Sequence, residues 1–245
     1  DLTIKMGYWV DVDDPYITYT SKYMESVWWL LKQIYKKGLM YKGYTIQPYS
    51  PKAGTAISSH ELNQPGTYQD VTDTTVTAQF KLIKDNLPYF LHSEDDVFVL
   101  AWTTTPWTLP SNTALTVGPN INYSLIKSFN QYTGLKADYI LADELISKQF
   151  SGNYFEVNDL VEVKNYEFDA KSIPYFKKST FKGKDLENIK YEQLLDYATP
   201  FSDPENAFRI IIGDFVTTSD GTGIVHTAPT FGADDALAAK AANPP

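Results

Sequence analysis

The sequence predicts a mainly β protein: a compact, β-barrel-like domain with peripheral helices, preceded by a short helical flank. Three observations lead there. From about Thr74 onward, short segments alternate apolar and polar residues, the period of a half-buried strand. Aromatic residues make up 15% of the chain, with 18 tyrosines, a bias that suits pleated sheet. Helical spacing is confined to one long segment near the N-terminus and to short stretches elsewhere.

In order along the chain, residues 22–37 read as a helix. Tyr23, Val27, Leu30, Leu31 and Ile34 recur at helical spacing, Trp28 and Trp29 widen the apolar face, and Gly38 can close it. Residues 48–66, rich in Pro, Gly and Ser, read as an irregular connection, which puts a domain boundary after residue 47. Val76, Ala78, Phe80 and Leu82 mark a strand, Asp85-Asn86-Leu87-Pro88 a turn, and residues 97–102 a second strand. Further strands are expected at 113–117, 123–127, 139–142, 154–163, 209–212 and 223–226. A short helix should follow Asp143, with the Asp143 carboxylate as its cap. Residues 165–205 show no clear period and are assigned to loops with short elements. Many short strands with few helices suggest a closed or sandwiched β domain in residues 48–245.

Composition bounds the function. The chain has 245 residues and is 43% hydrophobic, enough for a sizeable core. It has no cysteine, which removes disulfides and thiolate metal sites and agrees with a reducing compartment. Its net charge of −9 makes it a poor nucleic-acid binder by bulk electrostatics, so any RNA contact must be local or carried by a larger protein. No apolar run reaches membrane-spanning length. Neither end reads as a natural terminus, and both suggest a cut inside a longer protein.

Two dense segments carry the chemistry. The first is Trp102-Thr103-Thr104-Thr105-Pro106-Trp107-Thr108-Leu109-Pro110-Ser111-Asn112. Three hydroxyls in a row, two prolines that break a strand ladder and two tryptophans suit a surface that holds something polar and flat. The second is Gly221-Thr222-Gly223-Ile224-Val225-His226-Thr227-Ala228-Pro229, closing with Gly232, Asp234 and Asp235. The glycines permit a tight turn, a short strand delivers His226, and an aspartate at a helix start is an ordinary N-cap. Of the three histidines, His60 and His92 lie in connections and read as solvated surface residues, whereas His226 stands in one loop with Asp235. One histidine without cysteine cannot furnish a tetrahedral zinc site, and no metal or cofactor is expected. A triad using Ser111 or a threonine with His226 and an aspartate is conceivable, but no nucleophile elbow is present. Plainer assignments stand beside these: Trp102 and Trp107 as packing, Thr108 and Thr113 as ordinary strand residues, Asn112 as a turn former.

Together the two segments resemble the inserted editing domain, connective peptide 1, of isoleucyl-tRNA synthetases. That family carries Trp-Thr-Thr-Thr-Pro-Trp-Thr-Leu-Pro-x-Asn, matched by residues 102–112, and Gly-Thr-Gly-x-Val-His-x-Ala-Pro-x-x-Gly-x-x-Asp, matched by residues 221–235. The run Met24-Glu25-Ser26-Val27-Trp28-Trp29 and Pro48-Tyr49-Ser50-Pro51 are similar to the lead-in from the synthetase core, most like eukaryotic-type enzymes. One departure is Ala236, where the family has an aromatic residue. The family's synthetic-site signatures are absent, so no amino-acid activation is expected.

The resemblance implies post-transfer editing in the cytoplasm: hydrolysis of valine from misacylated tRNA(Ile), and of valyl-adenylate as a further candidate, with isoleucine excluded by size. It implies that Asp235 binds the α-ammonium, and that Thr103, Thr104 and Thr105 contact the terminal adenosine and the ester. Trp107 and His226 form the wall, and Asn112 orients a ribose hydroxyl or a water. Asp235, Thr104, Thr105 and His226 are the implied catalytic set, His226 being the one candidate base although a positioned water explains the family better. The partners implied are the valine-bearing 3′-terminal adenosine of tRNA(Ile) and the rest of the synthetase. Two rivals remain: a non-catalytic β-barrel module docking an RNA 3′ end or a protein, and a free-standing hydrolase with a Ser or Thr nucleophile.

Overall fold

The computed structural model describes residues 2–85 and 87–245; Asn86, in the expected turn, lies outside them. Contacts divide the chain into Asp1–Thr45 and Ile46–Pro245. In the first unit, helix α1 covers Leu2–Lys5 and α2 covers Ser21–Lys36. α2 starts after Thr20, an extended cap residue whose hydroxyl accepts the Tyr23 N–H, and it ends before Gly38, whose φ of +71° turns the chain away.

The second unit begins with a small hairpin, β1 (Tyr49–Ser50) and β2 (Thr55–Ala56), and one helical turn, α3 (Ser59–Leu62), closed by a Ser58/Glu61 capping box. The connection expected there is thus partly ordered. Strands β3 (Val76–Lys81), β4 (Val97–Thr103), β5 (Ala114–Val117), β6 (Asn122–Phe129) and β7 (Lys136–Ala142) follow. Then come α4 (Ile146–Gln149), β8 (Tyr154–Glu156), α5 (Leu160–Lys164), β9 (Ile173–Lys182), β10 (Arg209–Ile212), β11 (Ile224–Thr227) and α6 (Ala233–Ala241).

Two sheets build this unit. One has six strands in the order β3-β4-β7-β6-β9-β8, the other three in the order β10-β5-β11. Phe80, Val99, Leu125 and Ile140 from one face of the large sheet pack with Leu115, Val117, Ile210 and Ile224 of the small one in a single apolar cluster. On the opposite face Leu100, Tyr139 and Leu141 are covered by Ile146 and Phe150. The chain is mainly β, as expected, but the sheets stay open and face each other instead of closing into a barrel.

Three local expectations differ from the structure. The segment 154–163 splits into β8 and α5, because Asp159 accepts the Val161 N–H at 2.9 Å and starts a helix. The Asp143 carboxylate caps nothing and instead meets Lys177 at 2.6 Å. Residues 165–205 contain β9, the longest strand. Pro174 and the Lys177-Lys178 pair hide its alternation, yet Lys178 is neutralised by Asp138 at 2.7 Å.

Asp138 is fully buried, between Lys127 at 3.3 Å and Lys178. Removing it leaves Lys178 beside the core without its anion and Lys127 with Asp95 alone. Asp138→Ala should therefore destabilise the chain by about 3–5 kcal/mol. Urea unfolding measures this, and a loss below about 1 kcal/mol would mean that Asp95 suffices as counter-ion.

Candidate functional site

The Thr-Pro segment starts where β4 ends. Thr103 is buried, and its Oγ1 accepts the Thr105 N–H at 3.0 Å, which bends the chain out of the sheet. Pro106 then opens a 3₁₀ turn over Pro106–Ser111, where a proline costs no hydrogen bond. The turn brings Thr108 back under Thr105, whose carbonyl accepts the Thr108 hydroxyl at 2.8 Å. Thr104 and Thr105 are left exposed, and Trp107 stands 63% exposed.

The glycine segment comes from the other end of the chain and docks on the same place. Gly221 (φ +73°) and Gly223 (φ +69°) adopt left-handed conformations. A Cβ on Gly221 would meet the Trp102 ring at 2.8 Å, and one on Gly223 would run into Ala142. Between them Thr222 ties the turn to both neighbouring strands: its Oγ1 accepts Trp102 N–H at 3.2 Å and its carbonyl accepts Ala142 N–H at 2.8 Å. Tyr123 adds an O–H bond of 2.7 Å to the Gly223 carbonyl. From this anchor β11 runs antiparallel to β5, with His226 opposite Leu115.

The two segments share one cavity of about 580 Å3, within the usual size for a small-ligand site. Thr103, Thr104, Thr105, Trp107, His226 and Asp235 all line it. So do Trp102, Thr108, Phe215 and Phe231, which the sequence did not single out for the site. Ser111 does not, which takes away the serine-nucleophile alternative.

Asn112 is the one expected contact residue that stands behind the wall. It is buried, and Tyr191 O–H donates to its Oδ1 at 2.6 Å. That bond orients the amide, so Nδ2 donates to the Ala114 carbonyl at 2.8 Å and to His226 Nδ1 at 2.9 Å. Both amide protons are thus committed inside the protein, and Asn112 is a support for His226, not a ligand contact.

This settles the state of His226. Nδ1 accepts, so the ring proton sits on Nε2, which donates to Thr108 Oγ1 at 3.0 Å. Burial pulls the imidazole pKa down to about 4, so the ring is neutral at pH 7. Neither nitrogen keeps a free lone pair for a proton from water. The expectation that His226 could act as a base is corrected on this ground: it is a fixed, neutral piece of wall. Thr108, expected to be an ordinary strand residue, is its partner. The Pro106 turn onset was the available signal for Thr108; nothing local pointed to Tyr191.

Asp235 enters from the third position of α6. The cap residue is Gly232, which makes no side-chain bond, and Asp235 Oδ2 instead reaches back to accept the Ala228 N–H at 2.9 Å. A Cβ on Gly232 would meet the Asp235 carboxyl carbon at 2.8 Å, which accounts for the glycine. Asp235 is half-buried, and desolvation raises its pKa above the ordinary carboxylate value. An anion held at such a place is stabilised by an incoming cation.

The wall histidine makes stability depend on pH. Below pH 6.5 the unfolded chain protonates His226, whereas the folded one resists until about 4, so the fold loses stability as pH falls between the two. The full loss is about 3 kcal/mol. Urea unfolding at pH 7.0 and 4.5 should show a smaller decrease for His226→Gln than for the unaltered chain. Equal decreases would mean that the ring is charged in the folded state.

Residues 2–200 match the family of class I tRNA synthetases for isoleucine, leucine, methionine and valine. Across its whole length the chain is 57% identical to an isoleucine–tRNA ligase of Bacteroides fragilis, 55% to one of Porphyromonas gingivalis and 58% to one of Cytophaga hutchinsonii. It spans 21% of the length of each of these relatives. Among solved structures it is similar to GlLeuRS-CP1, with 15% identity, a TM-score of 0.43 and coverage of 64% of this chain and 53% of that one. For the editing domain of a Plasmodium falciparum cytosolic leucyl-tRNA synthetase the values are 15%, 0.42, 59% and 45%.

Proposed function

Because the chain belongs to the class I tRNA synthetases, we propose that its cavity proofreads: it hydrolyses the ester of valine misattached to tRNA(Ile), and excludes isoleucine by size. The observation that carries this reading is the meeting of the threonine corner and Asp235 in a single cavity. The tRNA, and the rest of a longer synthetase that would present it, are the partners the proposal requires.

The need for such a site is energetic. One methylene distinguishes the two amino acids and is worth only ~1–3 kcal/mol in an apolar pocket, a magnitude established on isoleucine–valine discrimination by this same enzyme family. Exclusion from a second, smaller pocket adds selectivity, because overfilling a rigid site is destabilising. His226 suits that role, since bonds at both ring nitrogens, one to Asn112 and one to Thr108, oppose its retreat from an extra methyl group.

In this reading one Asp235 oxygen stays on Ala228 N–H while the other takes the α-ammonium of the substrate. The exposed Thr104 and Thr105 contact the terminal adenosine and the ester, and Trp107 closes the rim. With the one lone pair of His226 engaged by Asn112, a water held against the ester carbonyl is the nucleophile, and the neighbouring hydroxyl of the terminal ribose assists. The water oxygen bonds to the carbonyl carbon, the bond to the ribose oxygen breaks, and the water's proton ends on that ribose oxygen. Placement of the water carries the rate in this scheme.

Asp235→Ala should lower kcat/KM for valyl-tRNA(Ile) deacylation by about 10–100-fold, the value of a bond to a charged group. The unaltered chain should lose activity on acidification through a midpoint above the ordinary 3.8, because the raised Asp235 carboxyl then neutralises and releases the ammonium. Full activity in the variant would take Asp235 out of the site. Thr105→Arg should fill the cavity mouth and block deacylation, and unchanged hydrolysis would assign the threonines to folding alone. Substrate binding without turnover in the unaltered chain would make the cavity a docking site.

A further inference from the structure

A second cleft, of about 440 Å3, adjoins the first. Two contacts join their walls. Thr77, which lines the second, pairs across β3–β4 with Trp102, which lines the first. Gln149, also in the second, donates from Nε2 to the carbonyl of Gly221 in the first at 2.9 Å.

Its chemistry differs from that of its neighbour. Among the described residues no charged side chain lines it. Its lining combines the amides of Gln79, Asn130 and Gln131 with the rings of Tyr132, Tyr139 and Phe150, and Asn130 Nδ2 donates to Gln79 Oε1 at 3.3 Å. The buried Tyr139 hydroxyl has no hydrogen-bond partner among the described residues. Such a lining suits a flat, uncharged group with polar edges, because an ion would lose its hydration there without a counter-charge. Stacking on an exposed aromatic ring combined with amide contacts to the edge is the way proteins hold unpaired nucleobases. One cation stands at the border: Lys148 Nζ lies 2.7 Å from Asp220 and 3.2 Å from the Ser219 carbonyl, both on the rim of the first cavity. Its ion pair with Asp220 is exposed, so a phosphate can exchange for it at little cost.

We infer that the second cleft takes the nucleobase one step before the 3′-terminal adenosine of the RNA, with Lys148 meeting the phosphate that joins the two nucleosides. This rests on the proofreading reading of the first cavity, and it gives a second reason for the RNA end to enter in one direction.

Equilibrium titration of the full chain with adenosine, cytidine and the dinucleotide cytidylyl-(3′→5′)-adenosine tests it. The dinucleotide should bind about 10-fold tighter than adenosine. The double variant Gln79→Ala/Tyr132→Ala should erase that gain and leave adenosine binding unchanged. Lys148→Gln should lower the slope of log affinity against log salt by about 0.7, the share of one single-strand phosphate. A dinucleotide no tighter than adenosine, or a gain that survives the double variant, overturns the inference and leaves the first cavity's reading standing. Cytidine binding as tightly as the dinucleotide makes the cleft a free-nucleoside site, against the inference. If neither adenosine nor the dinucleotide binds, the inference falls, and valyl-tRNA(Ile) deacylation decides the first cavity's reading separately.

Discussion

A neutral imidazole bonded at both nitrogens joins the two halves of this molecule's site. Nδ1 of His226 is held by Asn112, which Tyr191 orients, and Nε2 is held by Thr108 at the base of the Pro106 turn. The arrangement works only while the ring carries a single proton, and burial enforces that state. Everything nearer the cavity depends on it. The Thr-Pro corner is held against β11, and the cavity wall gains a side chain that can neither swing nor titrate at neutral pH.

The sheets make that contact possible. β4 delivers the threonine corner and β11 delivers the histidine, although more than a hundred residues separate them in the chain. The turn before β11 is seated on Trp102 and Ala142 through two left-handed glycines, and any side chain there would lift β11 away from β4. The face-to-face packing of the two sheets then closes the floor with apolar side chains. Polar cost is concentrated in few places, chiefly the Asp138–Lys127–Lys178 group, where opposite charges compensate each other.

Under the proposed proofreading, the cavity separates two duties. Recognition of charge falls to Asp235, which keeps one oxygen on the backbone and has a carboxyl made more basic by burial. Shape falls to groups whose hydrogen bonds are already used up: Thr103, Thr108 and His226. Saturated polar groups behave toward a ligand almost as apolar surface, which is why a wall made of threonine and histidine can select by size.

Much of this was legible in the sequence, because the information was local. Period two marked β3, the apolar run 97–102 marked β4, and helical spacing marked α2. The family resemblance carried by two short motifs picked out Thr104, Thr105, Trp107, His226 and Asp235, all of which line one cavity. What failed needed partners distant in the chain. β9 was hidden by lysines whose charges are answered by Asp138 and Asp143 on other elements. Asn112 and Thr108 exchanged their expected places, the first behind the wall and the second in it. Local pattern names the residues that can hydrogen-bond; only the tertiary structure decides which of those bonds are already satisfied inside the protein, and therefore which groups remain for a ligand.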